Sequence, residues 1–228
     1  MGILGKAAIA MWCDIEAAAD REFEFYHTQE HFAERVGIPG FLRGSRWKAV
    51  DGSSTYFVMY ELAEYDVFTG DAYLERLNNP TTWSVKMMPK IGNMVRSPCD
   101  VTASCGAGFG TSLITCRFAP EPGREKALRA WLRDRVLPGI AALPGMNAAH
   151  LLENRVPEGI EPTWEERTRG GDAMADWALL VNGYSAQAVR AVLAGPLGED
   201  VMAAQGARPG RVVGEYALRL TMQETEVA

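Results

Sequence analysis

Two histidines and two glutamates recur at spacings of three and four residues in the segment YHTQEHFAERVGIPGF, residues 26–41: they are His27, Glu30, His31 and Glu34. Residues with these spacings share one side of a helix. Imidazole and carboxylate groups are the side chains that most often give and take protons in enzymes. The segment therefore predicts acid–base chemistry on one face of a helix.

His27 and His31 lie four residues apart, a spacing that lets two imidazoles on one helix bind the same metal ion. Such a site needs a third ligand. The glutamate that follows the first histidine in zinc-protease helices is replaced by Thr28. The sequence gives no sign that the glutamates of the segment or the distant His150 lie beside the pair. We therefore expect no metal site, and a bound metal ion is the alternative.

Each half of the chain shows the same order of predicted elements. In the first half, strand, helix, strand, strand, helix and strand are predicted at 6–13, 17–36, 41–50, 55–62, 67–77 and 93–103. The second half repeats this order at 112–118, 121–142, 147–153, 177–184, 186–193 and 211–220. This β-α-β-β-α-β order is the ferredoxin-like motif. We therefore divide the chain into a first unit at 1–103, a glycine-rich connector at 104–111 and a second unit at 112–228.

The turn from the long helix to the second strand carries a proline-glycine pair in each half. Residues 38–41 read IPGF and residues 143–146 read LPGM. Aligning them sets His27 and His31 against apolar residues, so the polar segment exists only in the first half. We interpret this as a duplication whose second site has degenerated. Chance similarity of two α+β units is the alternative.

Short groups of residues around this segment resemble the helix-to-strand signature of the dimeric α+β barrel superfamily: Phe25-Tyr26, Glu30-His31, Glu34-Arg35 and Pro39-Gly40-Phe41. The resemblance is to its ferredoxin-like, EthD-like and muconolactone-isomerase-like members. It implies an α+β fold in which two tandem ferredoxin-like units form an intramolecular version of the dimeric barrel. The superfamily contains isomerases, cofactor-free monooxygenases, polyketide cyclases, haem enzymes and stress-response proteins, so the fold does not define the activity.

The resemblance also places His31 on the helix face that covers the sheet, where several members keep a pocket. We expect His31 to shuttle a proton, assisted by Tyr26, Glu30 or His27. A structural polar role is the alternative for His31. Glu30 could instead pair with Arg35 or lie in solvent, because adjacent helical side chains point about 100° apart.

Aromatic and methionine side chains are expected to form the wall of an apolar pocket, with ordinary core packing as the alternative for each. The candidates are Tyr26, Trp47, Tyr60, Trp83 and Met87. A carboxylate of the substrate would be held by Arg35, Arg43 or Arg46, because a guanidinium offers paired donors. The long irregular stretch at 155–172 is expected to form a flap or a surface insertion.

The composition argues against several classes of partner. The chain has 228 residues, of which 47% are hydrophobic, a formal net charge of −6 and a pI near 5.2. With no basic run, these values argue against binding to nucleic acid, and every apolar stretch is too short to span a bilayer. We expect a soluble cytoplasmic protein that binds a small molecule and has no membrane or nucleic-acid partner. Association of two copies into a homodimer stays open.

Together these features favour a cofactor-free lyase or isomerase that uses acid–base catalysis on a small cyclic or aromatic oxygenated metabolite of a catabolic or biosynthetic route. One alternative is a haem- or oxygen-dependent oxidoreductase, in which His31 or His150 would be the axial ligand of a haem. The other is a non-catalytic small-molecule carrier or stress-response protein.

Overall fold

Eight antiparallel strands close into one barrel in the computed structural model, which describes residues 2–157, 159 and 161–227. The strands are β1 (Ala7–Ile15), β2 (Phe41–Ala49), β3 (Tyr56–Leu62), β4 (Ile91–Gly106), β5 (Ser112–Phe118), β6 (Met146–Asn154), β7 (Trp177–Gly183) and β8 (Val212–Gln223). Every residue of β3 and β7 is buried. Since side chains alternate between the two faces of a strand, one face fills the barrel and the other lies under helices.

Short helices cover the outside of the barrel. The α-helices are α1 (Asp20–Tyr26), α2 (Phe32–Val36), α3 (Asp66–Thr69), α4 (Asp71–Asn78), α5 (Thr82–Met87), α6 (Glu125–Trp131), α7 (Leu137–Ala141), α8 (Trp164–Arg169), α9 (Ala186–Ala191) and α10 (Glu199–Ala204). The helix predicted at 67–77 is divided into α3 and α4, because Gly70 between them has an extended backbone. Among the described residues, no helix is long and apolar enough to cross a bilayer.

The strand order is the same in both halves. It is β4-β1-β3-β2 in the first half and β8-β5-β7-β6 in the second. Each half therefore has the β-α-β-β-α-β order with its last strand beside its first. The predicted fold class is confirmed: two tandem ferredoxin-like units form an α+β barrel within one chain.

The last strand of each unit joins the two halves. β4 pairs with β1 through its first part and with β6 through its second part, and β8 pairs in the same way with β5 and β2. The two sheets thereby share their edges, and the barrel closes. β4 continues to Gly106, so the first three residues of the expected connector at 104–111 are strand rather than linker.

The interior of the barrel is filled by aromatic and aliphatic side chains. The rings of Trp12 and Phe57 lie 5.0 Å apart, and the Trp12 indole N–H donates a hydrogen bond to Thr115 Oγ1 of the other unit at 2.9 Å. The free space that remains beside Trp47 is about 10 Å³, which is the volume that one water molecule needs. The larger cavity that contains the histidines lies outside the barrel, between the helices and the sheet.

A π-helical turn interrupts the long helix of each unit at the same place. The turns are His27–His31 and Leu132–Val136, which coincide when the two proline-glycine turns are aligned. A π-helical turn widens the helix, and such turns are frequent at functional sites. Here the first turn contains two buried histidines, whereas Leu132 and Val136 of the second are buried and apolar.

We predict that the first unit does not fold as a stable monomer on its own. A fragment of residues 1–106 would expose the edges of β2 and β4 that β8 and β6 cover in the full chain, and unpaired edges promote association. Analytical sedimentation of the fragment should show dimers or larger aggregates. A monomeric fragment with a cooperative unfolding transition would contradict the expectation.

Candidate functional site

A cavity of about 50 Å³ lies between the first long helix and the outer face of the first unit's sheet. Met11 of β1 and Val58 and Tyr60 of β3 form its floor. The neighbouring residues of these strands point into the barrel instead, because side chains alternate along a strand. His27 and His31 cover the floor from the π-helical turn. The wall is therefore mostly apolar, with a few polar groups that converge on it.

Tyr26 holds the imidazole of His31 in one orientation. A hydrogen bond of 2.8 Å joins Tyr26 Oη to His31 Nδ1, and both side chains are buried. The two residues lie five positions apart, and the π-helical turn brings them to the same side of the helix. Because Nδ1 is engaged by Tyr26, Nε2 is the nitrogen available to the cavity.

Both histidines are held in the neutral form. Burial lowers the pKa of His31 well below its usual value, and the positive charge of Arg35 lowers it further. Burial also lowers the pKa of His27, with additional contributions from Arg46 and Arg35. A neutral imidazole has a free lone pair, so it accepts a proton or a hydrogen bond at neutral pH.

Three polar atoms around the cavity have no hydrogen-bond partner among the described residues: His27 Nδ1, Tyr60 Oη and Arg35 Nη1. All three side chains are buried and line the cavity. Burial raises the pKa of the Tyr60 phenol well above its usual value, so this hydroxyl keeps its proton. An unpaired buried polar group costs about 1–3 kcal/mol. These atoms therefore mark a place where oxygen atoms of a ligand would find partners.

Cys13 also lines the cavity, but its thiol is not a nucleophile. The side chain is buried, and burial raises the pKa of the thiol to about 12. Since the thiolate is the reactive form of cysteine, Cys13 contributes apolar surface. The groups that can exchange protons in this cavity are the imidazoles and the carboxylates.

The helix α8, which belongs to the second unit and to the stretch at 155–172, covers one side of the cavity. Its Glu165 accepts a hydrogen bond from Arg35 and lies 3.6 Å from Arg169. Arg169 also pairs with Asp172 at 2.7 Å. These side chains are 3–6% exposed, so their charges are paired in a dry environment. Residues from both units thus complete the cavity, and we call α8 the lid.

Several of the predicted site residues meet at the cavity. His27, His31, Arg35 and Tyr60 line it, and Tyr26 lies directly behind His31. Glu30 does not reach the cavity. Its carboxylate accepts a hydrogen bond from Thr81 Oγ1 at 2.5 Å on the outer side of Tyr26.

The remaining predicted residues lie elsewhere. Trp47 points into the barrel, where its indole N–H donates to Ser45 Oγ at 3.0 Å. Trp83 packs against the outer side of Tyr26, with ring centroids 5.4 Å apart. Met87 is buried in an apolar cluster, whereas its neighbour Met88 lines the cavity. The structure therefore does not place Trp47, Trp83 or Met87 in the cavity wall.

Sequence reasoning missed the polar residues that come from distant elements. Arg96 of β4 donates a hydrogen bond to Tyr73 Oη at 2.8 Å, and both residues line the cavity. Glu165 and Arg169 reach it from the lid. No local pattern relates these residues to His31. The two-residue alternation of β4, which turns Arg96 toward the helices, is the signal that could have drawn attention to it.

The equivalent space of the second unit is filled by apolar side chains. Leu132, Val136 and Ile140 are buried in a hydrophobic cluster that also includes Leu128 and Trp177. When the two units are aligned, Leu132, Val136 and Ile140 take the positions of His27, His31 and Arg35. The second helix therefore stabilises the core where the first one presents proton-exchanging groups.

In the part of the chain that the structure describes, no group of three or more His, Cys, Asp or Glu side chains is arranged to hold a metal ion. With α8 in its observed position, the cavity beside His31 is smaller than a porphyrin. His150 lies apart from it, bonded to Ser104 Oγ at 2.8 Å, and burial lowers its pKa to about 4.

The fold recurs in solved structures at low sequence identity. An anthrone oxidase-like protein aligns with a TM-score of 0.64 at 12% identity, over 97% of this chain and 94% of that one. A proposed monooxygenase from Fusobacterium nucleatum aligns with a TM-score of 0.63 at 11% identity, over 97% and 96% of the two chains. Another from Lactobacillus acidophilus gives 0.61 at 10% identity, over 96% of each chain. No protein-family model and no curated protein matches the sequence.

These similarities show that the chain has the fold of the dimeric α+β barrel superfamily, as the resemblance implied. They also correct the expected activity. These three structures are named for monooxygenase and oxidase chemistry and not for lyase or isomerase chemistry. The expectation of a lyase or isomerase is therefore wrong, and the oxidoreductase alternative is the better supported one.

We predict that acid destabilises the protein through its buried histidines. The pKa values of His27, His31 and His150 are lowered by burial, so below about pH 6.5 the unfolded chain binds protons that the folded chain does not. Stability is then complete above this pH and is lost below it by up to about 1.4 kcal/mol per pH unit for each histidine.

Urea unfolding at a series of pH values measures this effect. In the His31→Gln variant, the free energy of unfolding should depend less steeply on pH, by about one histidine's share. An unchanged slope would mean that His31 takes up its proton equally in the folded and the unfolded protein, contrary to the lowered pKa assigned above.

The ion pairs of the lid give a further prediction. Glu165→Ala removes the carboxylate nearest to Arg35 and should cost about 3 kcal/mol of unfolding free energy, because an uncompensated charge stays buried. Glu34 remains 4.0 Å from Arg35 Nη1 and limits the loss. The matched control is Glu166→Ala on the same helix, which should change stability by about 0.5 kcal/mol or less. Equal effects of the two substitutions would show that Glu165 does not hold the lid.

Proposed function

We propose that this protein is a monooxygenase-type oxidoreductase that uses dioxygen to oxidise a small organic molecule with an acidic C–H bond, without haem or a metal ion. The observation that supports it best is the neutral imidazole of His31, held through Nδ1 so that Nε2 is free at a small, mostly apolar cavity. An imidazole nitrogen in this position accepts a proton from a bound molecule. The names of the structural neighbours support oxidation as the chemistry that follows.

In the proposed reaction, Nε2 of His31 takes a proton from a methylene carbon and leaves a carbanion. Dioxygen is the oxidant: a C–O bond forms as the carbanion is oxidised and dioxygen is reduced to the peroxide level. Return of the proton gives a hydroperoxide. Loss of the second C–H proton, with cleavage of the O–O bond and protonation of the leaving hydroxide, gives a ketone and water. A CH₂ group and O₂ thus become C=O and H₂O, and no external reductant is consumed.

The weak basicity of His31 restricts the substrate. Since burial and Arg35 lower the pKa of its conjugate acid, His31 removes a proton only from carbon whose carbanion is strongly stabilised. A methylene between aromatic rings and conjugated with a ketone meets this requirement. The unpaired groups of His27, Tyr60 and Arg35 would bind the enolate oxygen that develops. An anthrone-like ketone has both features.

Entry of such a substrate requires the lid to move. The cavity of about 50 Å³ is smaller than a molecule with several rings. The lid is a short helix that ion pairs hold in place. The floor of the cavity, by contrast, consists of barrel strands. We propose that α8 opens for the substrate and then closes, which excludes water from the carbanion.

The proposal predicts that the purified protein consumes dioxygen with anthrone as a probe substrate, above the spontaneous rate and in the presence of a metal chelator. His31→Gln should lower this rate by about 10²–10⁴-fold, the usual contribution of a positioned general base. Glutamine keeps a polar side chain but cannot take up a proton. An oxygen electrode measures the rate, and circular dichroism checks that the variant is folded.

The matched control is His150→Gln, the same substitution at a buried histidine away from the cavity, which should keep near-normal turnover. A folded His31→Gln variant with normal turnover would remove His31 as the base. A visible absorption band from bound haem would contradict the cofactor-free reaction. Binding of anthrone with no uptake of dioxygen would favour the carrier alternative.

A further inference from the structure

A chain of hydrogen bonds leads from His31 to the surface. His31 Nδ1 is 2.8 Å from Tyr26 Oη, and Tyr26 Oη is 2.7 Å from Ser84 Oγ. Ser84 Oγ is 3.1 Å from Thr81 Oγ1, which is 2.5 Å from Glu30 Oε1. The first three members are buried, whereas Thr81 and Glu30 are half-buried at the outer end. The chain thus links the cavity to a carboxylate that solvent reaches.

A relay toward Glu30 requires each hydroxyl of this chain to donate outward. Thr81 Oγ1 is within donor distance of both Ser84 Oγ and Glu30 Oε1, and its contact with Glu30 is the shorter one. An ionised carboxylate only accepts hydrogen bonds, so in the outward orientation Thr81 donates to Glu30, Ser84 turns its proton toward Thr81, and Tyr26 donates to Ser84. Tyr26 Oη then accepts from His31, so the ring of His31 carries its proton on Nδ1 and Nε2 keeps the lone pair that a base requires.

We propose that Tyr26, Ser84 and Thr81 form a proton relay between His31 and Glu30. His31 is the catalytic base, and the three hydroxyls and Glu30 set its tautomer and carry its proton. This inference rests on the proposed function for its role in turnover, but the orientation of the chain is a property of the free protein.

The relay avoids the formation of a charged imidazolium ion in the buried site. A proton that stayed on His31 would create an imidazolium beside Arg35 in a dry environment, which burial disfavours. With the relay, a proton enters at Nε2 as another leaves from Nδ1, each hydroxyl passes one proton outward, and Glu30 becomes protonated. The imidazole stays neutral. When the peroxide forms, the protons move back and Nε2 delivers one to it.

Among the described residues, no group other than Tyr26 lies within hydrogen-bond distance of His31 Nδ1. Glu34 Oε2 is the nearest carboxylate oxygen, but it lies 3.9 Å from Nδ1, beyond hydrogen-bond distance. Thr81 and Ser84 are held in place by the start of α5, where Thr81 Oγ1 also accepts a hydrogen bond from the Ser84 backbone N–H at 3.0 Å. The relay is therefore built on a helix N-terminal cap, which is a rigid local structure.

The first test needs no substrate. Nitrogen NMR of the histidine rings at neutral pH should show His31 protonated at Nδ1 in the wild-type protein. In Ser84→Ala, Tyr26 loses its acceptor and donates to His31 Nδ1 instead, so the proton of the ring should move to Nε2. Ser45→Ala, the same change at a buried serine of β2 outside the relay, should leave the tautomer unchanged. A wild-type His31 protonated at Nε2, or an unchanged tautomer in Ser84→Ala, would overturn the proposal.

The second test measures turnover of anthrone by Ser84→Ala, Glu30→Gln and the double variant. Residues that act in one relay are not additive. Each single substitution should lower the rate by about 10²-fold, and the double variant should be no slower than the slower single one. Addition of free imidazole, as a soluble proton carrier, should restore part of the rate of Glu30→Gln.

The relay is contradicted if the rate losses of the two single variants multiply in the double variant and free imidazole restores no activity to Glu30→Gln. If the wild-type protein oxidises no anthrone, the proposed function fails on that substrate, whereas the NMR experiment still decides whether the oriented chain exists. The two failures are therefore distinguishable.

Discussion

The hydrogen bond between Tyr26 Oη and His31 Nδ1 determines how the rest of the site is organised. It spans the π-helical turn and forms between side chains that are shielded from water. A buried imidazole without this partner would carry the desolvation cost of an unpaired polar group, about 1–3 kcal/mol. With it, the ring is fixed, one nitrogen is committed to Tyr26 and the other is left for the cavity. The orientation of the ring and its link to Ser84 follow from this arrangement, whereas burial and the charge of Arg35 keep the ring neutral.

Duplication explains why such a site is present once. Both units keep the same strand order and the same π-helical turn, so the backbone needed for the site exists twice. In the second unit, Leu132 and Val136 use that backbone for apolar packing, which stabilises the core by burying hydrophobic surface. The second unit also pairs with the edges of the first and supplies the lid with Glu165. One unit thus carries the proton chemistry, and the other closes the barrel and the cavity.

The order of the elements and the residues of the helix could be predicted from the sequence, because both depend on local patterns. The repeated proline-glycine turns aligned the units correctly, and the spacing of His27 and His31 indicated one helix face. It was harder to predict which face of the sheet a strand residue occupies. Both faces of the sheet are buried, so an apolar residue gives no sign of which face it occupies, and Trp47 turned into the barrel whereas Tyr60 turned toward the helix. Glu165 and Ser84 meet the site through tertiary packing alone, and no local pattern marks them.

The central claim is that the reaction inserts one atom of dioxygen into the substrate with His31 as the base. Mass spectrometry of the product formed from anthrone under ¹⁸O₂ tests it most directly. The expected product contains one ¹⁸O atom per turnover, and the second atom is released as water. A product of unchanged mass, as an isomerase would give, or one whose new oxygen comes from water would contradict it.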